Sequence, residues 1–202
     1  MEYVQGKTLA KQIKEKRGLA ENEIKDIFLP LLNGLDYIHQ KDYFHLDIKP
    51  DNIFLRTASN GDPNPVLLDF GAARHSIGML VKADIHSINT VSHGYSPSEQ
   101  YRTDKKKLGA WSDLYALGAT LYCCISGQEP IQAQTRREDM FDGEDPLIAA
   151  VEVGEGKYSQ SFLQLIDWLL QPALSDRPQT VEMVIAALTP SEHSYGDDRR
   201  ST

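Results

Sequence analysis

His45-Leu46-Asp47-Ile48-Lys49-Pro50-Asp51-Asn52 is the most informative segment of this chain. Asp47, Lys49 and Asn52 stand at positions i, i+2 and i+5, on a loop between a predicted helix and a predicted strand. Phosphoryl transfer requires a carboxylate that orients a hydroxyl and accepts its proton, a cation that offsets charge on the phosphate, and an oxygen ligand for Mg²⁺. These side chains supply all three groups, so the segment predicts a phosphoryl-transfer site.

A second acidic motif, Asp69-Phe70-Gly71, follows Asn52 by 17 positions and comes directly after the apolar run at residues 66–68. A carboxylate that leaves a buried strand is a suitable ligand for a hard cation. The glycine permits the backbone turn that directs this carboxylate. We therefore predict Asn52 and Asp69 as metal ligands beside the catalytic pair Asp47 and Lys49.

The composition is that of an ordinary globular chain that fits one domain. Its 202 residues are 41% hydrophobic and carry a formal net charge of -8. Phosphate backbones and anionic lipids recruit clusters of Lys and Arg, so this charge argues against nucleic acid or a membrane surface as the main partner. No segment has the pattern of a secretory signal or a membrane span. Cys123 and Cys124 are neighbours in an apolar stretch, which leaves no disulfide framework and favours a cytoplasmic location.

Periodicity predicts mainly α structure. Apolar residues at spacings of three and four predict a helix over residues 21–40, in which Pro30 and Gly34 require either a kink or strong support from packing. Thr8 is predicted to cap a short helix that follows an extended piece at residues 2–5. Two β-type runs, at residues 53–55 and 66–68, predict a hairpin with a loose tip.

The stretch from Ser112 to Gly127 is apolar on all sides, which is typical of a helix buried at the centre of a fold. After it we expect a polar loop over residues 128–146, a helix over residues 162–170, and a last helix capped by Thr180. The predicted architecture is therefore a helical bundle around a buried central helix, with a small β-hairpin at the cleft.

In their order and spacing, the two motifs resemble the catalytic loop and the Asp-Phe-Gly motif of eukaryotic-type serine/threonine protein kinases, and later segments are similar to bacterial members. The resemblance implies ATP and Mg²⁺ as cofactors and a protein with a Ser or Thr hydroxyl as substrate. By this resemblance, the first residues correspond to the hinge between the two lobes of a kinase, and Phe54 corresponds to the residue that forms the floor of the adenine pocket. The residues implied for ATP binding are Met1, Glu2, Val4 and Phe54.

The resemblance continues through residues 92–99, which correspond to the substrate-facing segment and include Ser92 and Tyr95. Pro97 and Ser98 replace the usual Ala-Pro of this segment. Ser92 is expected either to hydrogen-bond the catalytic pair or to be a simple turn residue. The resemblance also implies structural roles. His45 is expected to pack against Phe70, which precedes Gly71 in the Asp-Phe-Gly motif. Glu99 is expected to pair with Arg177, and Asp113 to anchor the backbone of the catalytic loop.

By this resemblance, residues 1–6 are a hinge segment, residues 7–189 a protein kinase C-terminal lobe, and residues 190–202 a disordered tail. Family members carry a Gly-rich loop, a strand lysine and a helix glutamate before the hinge, and these are not in the sequence. We therefore expect that the N-terminal β-lobe is absent and that the chain is either a truncated gene model or a fragment. We also expect an inter-lobe face that needs an N-lobe or another partner surface. We predict no phosphoryl transfer by these residues alone, since one side of the nucleotide cleft is not encoded.

One departure from the family concerns regulation. Leu46 stands where many kinases have an arginine that a phosphate on the activation segment must neutralise. Without that charge, we predict that phosphorylation of Ser76, Ser87 and Thr90 is dispensable.

Two other functions are compatible with parts of the sequence: a kinase-derived binding module without catalysis, and a small-molecule phosphotransferase. The complete set of phosphoryl-transfer groups argues against the first, and the substrate-facing segment together with Arg177 argues against the second. The charged cluster Arg136-Arg137-Glu138-Asp139 is interpreted as a solvated loop, with substrate docking as the alternative.

Overall fold

Helices dominate the computed structural model, which describes residues 5–16, 18–57, 63–75, 91–101, 108–143 and 145–189. The helices are α1 (Leu9–Lys16), α2 (Glu21–His39), α3 (Ala110–Ser126), α4 (Ala133–Asp139), α5 (Ala150–Val153), α6 (Gln160–Leu169) and α7 (Val181–Leu188). The strands are β1 (Gly6–Thr8), β2 (Tyr43–Phe44), β3 (Ile53–Thr57), β4 (Pro63–Leu67) and β5 (Arg74–His75).

The predicted hairpin is present and forms part of a three-stranded antiparallel sheet. β3 pairs with β4 in a register that sets Ile53 opposite Leu67, and β1 pairs with the other edge of β3. The strand that was expected before α1 begins at Gly6, later than predicted, and residues 1–4 lie outside the described part of the chain. The hairpin tip at residues 58–62 also lies outside it. The catalytic loop leads into β3 and the Asp-Phe-Gly motif follows β4, so the pairing of these strands fixes the positions of both.

Helix α2 continues through Pro30 and Gly34, so the prediction of support from packing is confirmed. An interior proline costs roughly 3 kcal/mol, whereas burying one large aliphatic or aromatic side chain contributes about 1.5–3 kcal/mol. Pro30 lies on the exposed side of the helix. The opposite side buries Ile24, Ile27, Phe28, Leu31, Leu32 and Leu35. Tertiary burial therefore outweighs the local penalty, and the helix delivers the chain to the catalytic loop.

Helix α3 is the buried central helix that the sequence predicts. It starts after Gly109, slightly before the predicted start at Ser112, and it ends at Gly127 with a φ of 73°. That left-handed conformation favours glycine, which explains the helix end. Gly118 allows close contact with α6, since an added Cβ would lie 2.6 Å from Cβ of Leu169. The helix contacts α2, α5 and α6 and so organises the helical bundle.

The segment that was predicted as a polar loop contains helix α4, so the loop interpretation of its charged cluster is wrong. Glu138 and Asp139 are exposed as expected, but Arg136 is buried. Arg136 is only 4% exposed. Its Nε donates to Oδ1 of Asp145 over 3.0 Å, and its Nη1 donates to the Leu170 carbonyl over 2.9 Å and to the Tyr115 hydroxyl over 3.2 Å. Burial alone would lower the pKa of Arg136, but the hydrogen bond and charge of Asp145 raise it above its ordinary value. The arginine is thus a buried cross-link between α3, α4 and the end of α6.

The last two helices lie close to their predicted positions. The Ser159 hydroxyl accepts a hydrogen bond from the Phe162 N–H at the start of α6. Thr180 stands at the N-cap position of α7, but its side chain makes no cap hydrogen bond to the helix backbone. Residues 190–202, predicted as a tail, lie outside the described residues. Within the described residues, no helix combines the length and apolar character that a membrane span requires.

Candidate active site

The catalytic loop lies between α2 and β3, and Asp47 is at its centre. The Asp47 side chain is only 4% exposed. Its carboxylate accepts hydrogen bonds from Nζ of Lys49 at 3.0 Å to both oxygens, from the Ser92 hydroxyl at 2.6 Å, and from Nδ2 of Asn52 at 2.8 Å. Donors on three sides hold the carboxylate in one orientation. Such an arrangement suits a group that must accept a proton from a precisely placed hydroxyl.

Ser92 joins the substrate-facing segment to the catalytic pair. Its hydroxyl donates to Asp47 and accepts from Nζ of Lys49 at 2.8 Å. Its backbone N–H donates to the Ser96 hydroxyl at 3.0 Å, which fixes the turn around it. Of the two sequence interpretations of Ser92, the structure has the one in which it hydrogen-bonds the catalytic pair.

Asn52 and Asp69 are brought together by the backbone of the sheet. The Leu68 N–H donates to the Asn52 carbonyl over 2.7 Å, directly before Asp69. The amide nitrogen of Asn52 donates to the carbonyl and the side chain of Asp47, so the amide oxygen Oδ1 is the atom of Asn52 that could hold a metal ion. Asp69 has a φ of 57°, and one of its carboxylate oxygens accepts from the Gly71 N–H at 3.0 Å. Amide and carboxylate oxygens are the ligands that Mg²⁺ takes in proteins, so these residues fit that ion.

Asp113, at the start of α3, holds the backbone of the catalytic loop. Its buried carboxylate accepts from the His45 N–H at 2.8 Å and from the Leu46 N–H at 2.7 Å. Leu46 has a φ of 63°, a left-handed conformation that costs roughly 1–2 kcal/mol in a residue with a Cβ. The two charge-assisted hydrogen bonds offset this cost. Asp113 therefore fixes the unusual turn that leads into Asp47.

His39 is a member of this network that sequence reasoning missed. Its Nε2 lies 2.8 Å from Oδ2 of Asp113, and its ring contacts Phe44 edge to face. A histidine at the end of an amphipathic helix is common and favourable. No signal in a single sequence connects it with Asp113, which follows 74 positions later.

His45 connects the catalytic loop with the Asp-Phe-Gly motif. Its Nε2 donates to the Leu68 carbonyl at 3.0 Å, and its Nδ1 accepts from the Asp47 N–H at 3.3 Å. Both ring nitrogens are thus used to hold the loop. The ring also contacts Phe70 edge to face, with centroids 4.8 Å apart. The predicted contact between His45 and Phe70 is therefore present.

The predicted ion pair between Glu99 and Arg177 is present and buried. Nη1 of Arg177 lies 2.8 Å from Oε1 of Glu99, and the Ser112 hydroxyl donates to the same oxygen at 3.0 Å. Arg177 also donates to the carbonyls of Gln171 and Pro172. Every charge is thus matched by several hydrogen bonds, which a buried pair requires. The pair ties the substrate-facing segment to the helical bundle.

Tyr95 and Phe54 are predicted site residues that make no hydrogen bond to Asp47, Asn52 or Asp69 in the described part of the chain. Tyr95 is 5% exposed, and its burial raises the pKa of its phenol, with a further contribution from contact with Cys123. The Tyr95 side chain is therefore packed into the hydrophobic core below the segment to which Tyr95 belongs. Phe54 lies on β3, opposite Val66 of β4 and Thr8 of β1. The other residues predicted to bind ATP, Met1, Glu2 and Val4, lie outside the described part of the chain.

This fold, with a carboxylate and an amide beside a second acidic motif, is that of a protein kinase domain. The chain matches the protein kinase domain family over residues 1–188 and belongs to that family.

Curated relatives and a solved structure agree with this assignment. Serine/threonine-protein kinase PknA of Nostoc sp. is 39% identical over 137 residues, which cover 66% of this chain and 23% of that protein. Serine/threonine-protein kinase F of Synechocystis sp. is 26% identical over 195 residues, covering 96% of this chain and 37% of that protein. The apo form of PpkA-294 is 33% identical, with a TM-score of 0.72 over 93% of this chain and 62% of that structure. The chain therefore spans less than two thirds of each of these proteins.

Proposed function

We propose that this chain is the catalytic lobe of a serine/threonine protein kinase and transfers the γ-phosphate of ATP to Ser or Thr hydroxyls of a protein when an N-terminal lobe completes the cleft. The observation that supports this most is the carboxylate of Asp47, held at once by Lys49, Asn52 and Ser92. A binding module without catalysis has no need for this complete and mutually oriented set.

In the proposed reaction, Asp47 accepts the hydrogen bond of the substrate hydroxyl and takes its proton as the hydroxyl attacks the phosphate. Lys49 holds Asp47 in position, and its ammonium group places a positive charge beside the phosphoryl group that is transferred. Ser92 keeps both side chains in register with the substrate-facing segment. These residues act by position and charge, which supply most of the rate in phosphoryl transfer.

Asn52 and Asp69 are proposed to hold Mg²⁺, which when bound would neutralise and align the phosphates of ATP. Met1, Glu2 and Val4 are proposed to contact the adenine through the hinge backbone, with Phe54 beneath the ring. The amide and carboxylate oxygens of Asn52 and Asp69, at the start of β3 and after the end of β4, support the assignment of the metal site.

An N-terminal lobe, or another partner surface, is proposed to cover the face that carries the Asp-Phe-Gly motif. Phe70 is 51% exposed there, and Leu68 is exposed beside it. Exposed apolar groups next to a polar site are typical of a surface that another element covers.

The decisive experiment compares three proteins for transfer of labelled phosphate from ATP to a mixed Ser/Thr protein substrate. These are the 202-residue chain, the same chain fused to an N-lobe that carries a Gly-rich loop and a strand lysine, and the fused protein with Asp47→Ala. We expect transfer by the fused protein alone, with a loss of about 10²–10⁴-fold on substitution of Asp47. Full activity in Asp47→Ala would contradict the proposed role, and Asp47-dependent transfer by the chain alone would contradict the need for an N-lobe.

A further inference from the structure

A second concave site lies where α4 meets the loop between α6 and α7. It is a cavity of about 360 Å³, and we call it the α4 pocket. Ser98 and Glu99, at the end of the substrate-facing segment, form part of its lining. The side chains that hold Asp47 are not part of this lining. The proposed phosphoryl transfer therefore gives the α4 pocket no task.

One face of α4 forms a wall of this pocket. The lining residues on that wall are Ala133, Arg136, Arg137 and Met140. Their spacing of three, one and three positions sets them on the same side of the helix and of the turn that continues it. Arg136 is buried and hydrogen-bonded, whereas Arg137 is partly exposed. The wall therefore presents one accessible cation.

The other charged groups of the lining are already matched. Nη1 of Arg177 lies 2.8 Å from Oε1 of Glu99, and Arg136 is paired with Asp145, which is not part of the lining. The Arg137 side chain makes no hydrogen bond or ion pair with any residue in the described part of the chain. The charge without a partner is therefore a single positive one, which favours a ligand with a single negative charge.

The guanidinium group of Arg137 also selects the kind of anion. Its N–H groups form a planar fork that matches the two oxygens of a carboxylate. A phosphate group carries nearly two negative charges at neutral pH, so it would bring a charge that no cation of the pocket matches. A carboxylate is therefore the anion that fits this site.

The remaining lining requires an apolar body on this anion. Phe141 is 83% exposed and Met140 is 41% exposed, and both line the pocket. Pro172 and Leu174 add apolar surface from the loop between α6 and α7. Exposed apolar side chains around a concave site are typical of a surface that a ligand covers.

The size of the pocket favours a small molecule over a protein. Its volume lies within the range of about 300–1,000 Å³ that is usual for small-molecule sites. Its exposed lining is several times smaller than the roughly 800 Å² that each partner of a stable protein interface buries. The pocket therefore matches a ligand that it can hold by itself.

We propose that the α4 pocket binds a small apolar carboxylate of the arylalkanoate type. The carboxylate accepts hydrogen bonds from the guanidinium group of Arg137, while the apolar body packs against Met140, Phe141 and Leu174. This inference does not depend on the proposed kinase activity, because binding is measured directly.

Occupation of the pocket brings the ligand to the end of the substrate-facing segment. Ser98 and Glu99 line the pocket, and the Glu99 carboxylate is held by Arg177 and by the Ser112 hydroxyl. These contacts keep Glu99 in place, so its backbone amide responds to a ligand beside it. The amide resonances of Ser98 and Glu99 therefore report binding at the pocket.

The test is a titration of the full chain with 4-phenylbutyrate at constant pH and ionic strength, followed by the Nε–Hε resonance of Arg137 and by these two amides. We expect all three resonances to shift and to saturate together. Arg137→Gln removes the cation and should weaken binding about tenfold. The matched control Arg56→Gln removes an exposed arginine of β3, which does not line the pocket, and should leave the affinity unchanged.

Three further probes separate the charge, the apolar body and the source of the ligand. 4-Phenylbutan-1-ol has the apolar body without the charge, and acetate has the charge without the body. Each should bind at least about tenfold more weakly than 4-phenylbutyrate. The dipeptide acetyl-Phe-Glu-amide presents an aromatic ring and a carboxylate in a peptide setting, and it should bind more weakly than 4-phenylbutyrate.

The proposal is overturned by the absence of a saturable shift with 4-phenylbutyrate, by equal binding of the alcohol or of acetate, or by unchanged affinity in the folded variant Arg137→Gln. Tighter binding of the dipeptide overturns the assignment to a small molecule and indicates a protein partner instead. If the variant does not fold, the comparison of 4-phenylbutyrate with the alcohol on the unaltered chain decides the question.

Discussion

The Ser92 hydroxyl connects the proposed substrate-facing segment with Asp47, the proposed catalytic carboxylate. It donates to Asp47 over 2.6 Å and accepts from Lys49 over 2.8 Å. A hydrogen bond to a charged group contributes roughly 1.5–3 kcal/mol, so losing it in the transition state should slow the reaction about tenfold to hundredfold.

We therefore expect Ser92→Ala to lower kcat of the protein completed by an N-lobe by about tenfold or more, with little change in KM for ATP. Ser92→Thr, which keeps the hydroxyl, should restore most of the rate. Ser161→Ala removes an exposed hydroxyl on α6 and serves as the control. Steady-state kinetics with varied ATP separates the two constants, and an unchanged kcat in Ser92→Ala would show that the hydroxyl is only a turn residue.

Arg136 and Arg137 are adjacent in sequence but differ in environment. Arg136 is buried and donates to Asp145, Tyr115 and Leu170, whereas Arg137 is partly exposed. Without Arg136, the Tyr115 hydroxyl and the Leu170 carbonyl lose a buried donor, and a buried polar group left without its partner costs roughly 1–3 kcal/mol, whereas Asp145 is exposed and stays solvated.

Arg136→Ala should therefore lower the free energy of unfolding of the chain by about 2–4 kcal/mol. Arg137→Ala, the matched control, should change it by no more than about 0.5 kcal/mol. Urea denaturation followed by circular dichroism measures both variants. Similar small losses in the two variants would mean that the network around Arg136 is weaker than its geometry indicates.

At the scale of elements, helices that bury a wide apolar face were predictable, and the short polar helix was not. Periodicity located α2 and α6 to within a few residues, and a stretch that is apolar on all sides and closes at Gly127 located α3. Helix α4 has the sequence AQTRRED, which carries no such pattern. It forms around Arg136, whose partners are distant in sequence and therefore invisible to local reasoning.

The same limit applies to the candidate site. Asp47, Asn52 and Asp69 were predictable from residue type and spacing, since the chemistry needs those groups in that order. His39 was not, because its contact with Asp113 depends on where α2 and α3 meet.

Two glycines within helices provide a test of packing at this scale. A Cβ added at Gly34 of α2 would have no atom within 4 Å, whereas one at Gly118 of α3 would lie 2.6 Å from Cβ of Leu169. Gly34→Ala should stabilise the chain by about 0.5–1 kcal/mol through helix propensity. Gly118→Ala should destabilise it by about 1–3 kcal/mol through overpacking. Thermal unfolding of both variants gives the two signs, and a stabilising Gly118→Ala would contradict the close contact of α3 with α6.

At the scale of the whole molecule, the position before Asp47 bears on how the kinase is controlled. Leu46 is only 5% exposed and lies in a small apolar cluster with Ala72 and Leu108, against which Phe44 packs. An apolar side chain here leaves no buried positive charge for an activation-segment phosphate to neutralise. The backbone turn at this position is held instead by Asp113, which is present whether or not the segment is phosphorylated.

The triple variant Ser76→Ala/Ser87→Ala/Thr90→Ala, at positions outside the described residues, should therefore keep the activity of the protein completed by an N-lobe within about threefold. Leu46→Arg supplies the opposite case, because it places an unpaired charge in the apolar cluster. That variant should lose activity and should regain part of it only when the activation segment carries phosphate. Initial rates before and after phosphatase treatment measure both effects. A loss of more than about tenfold in the triple variant would mean that phosphate controls the site by a route that does not involve residue 46.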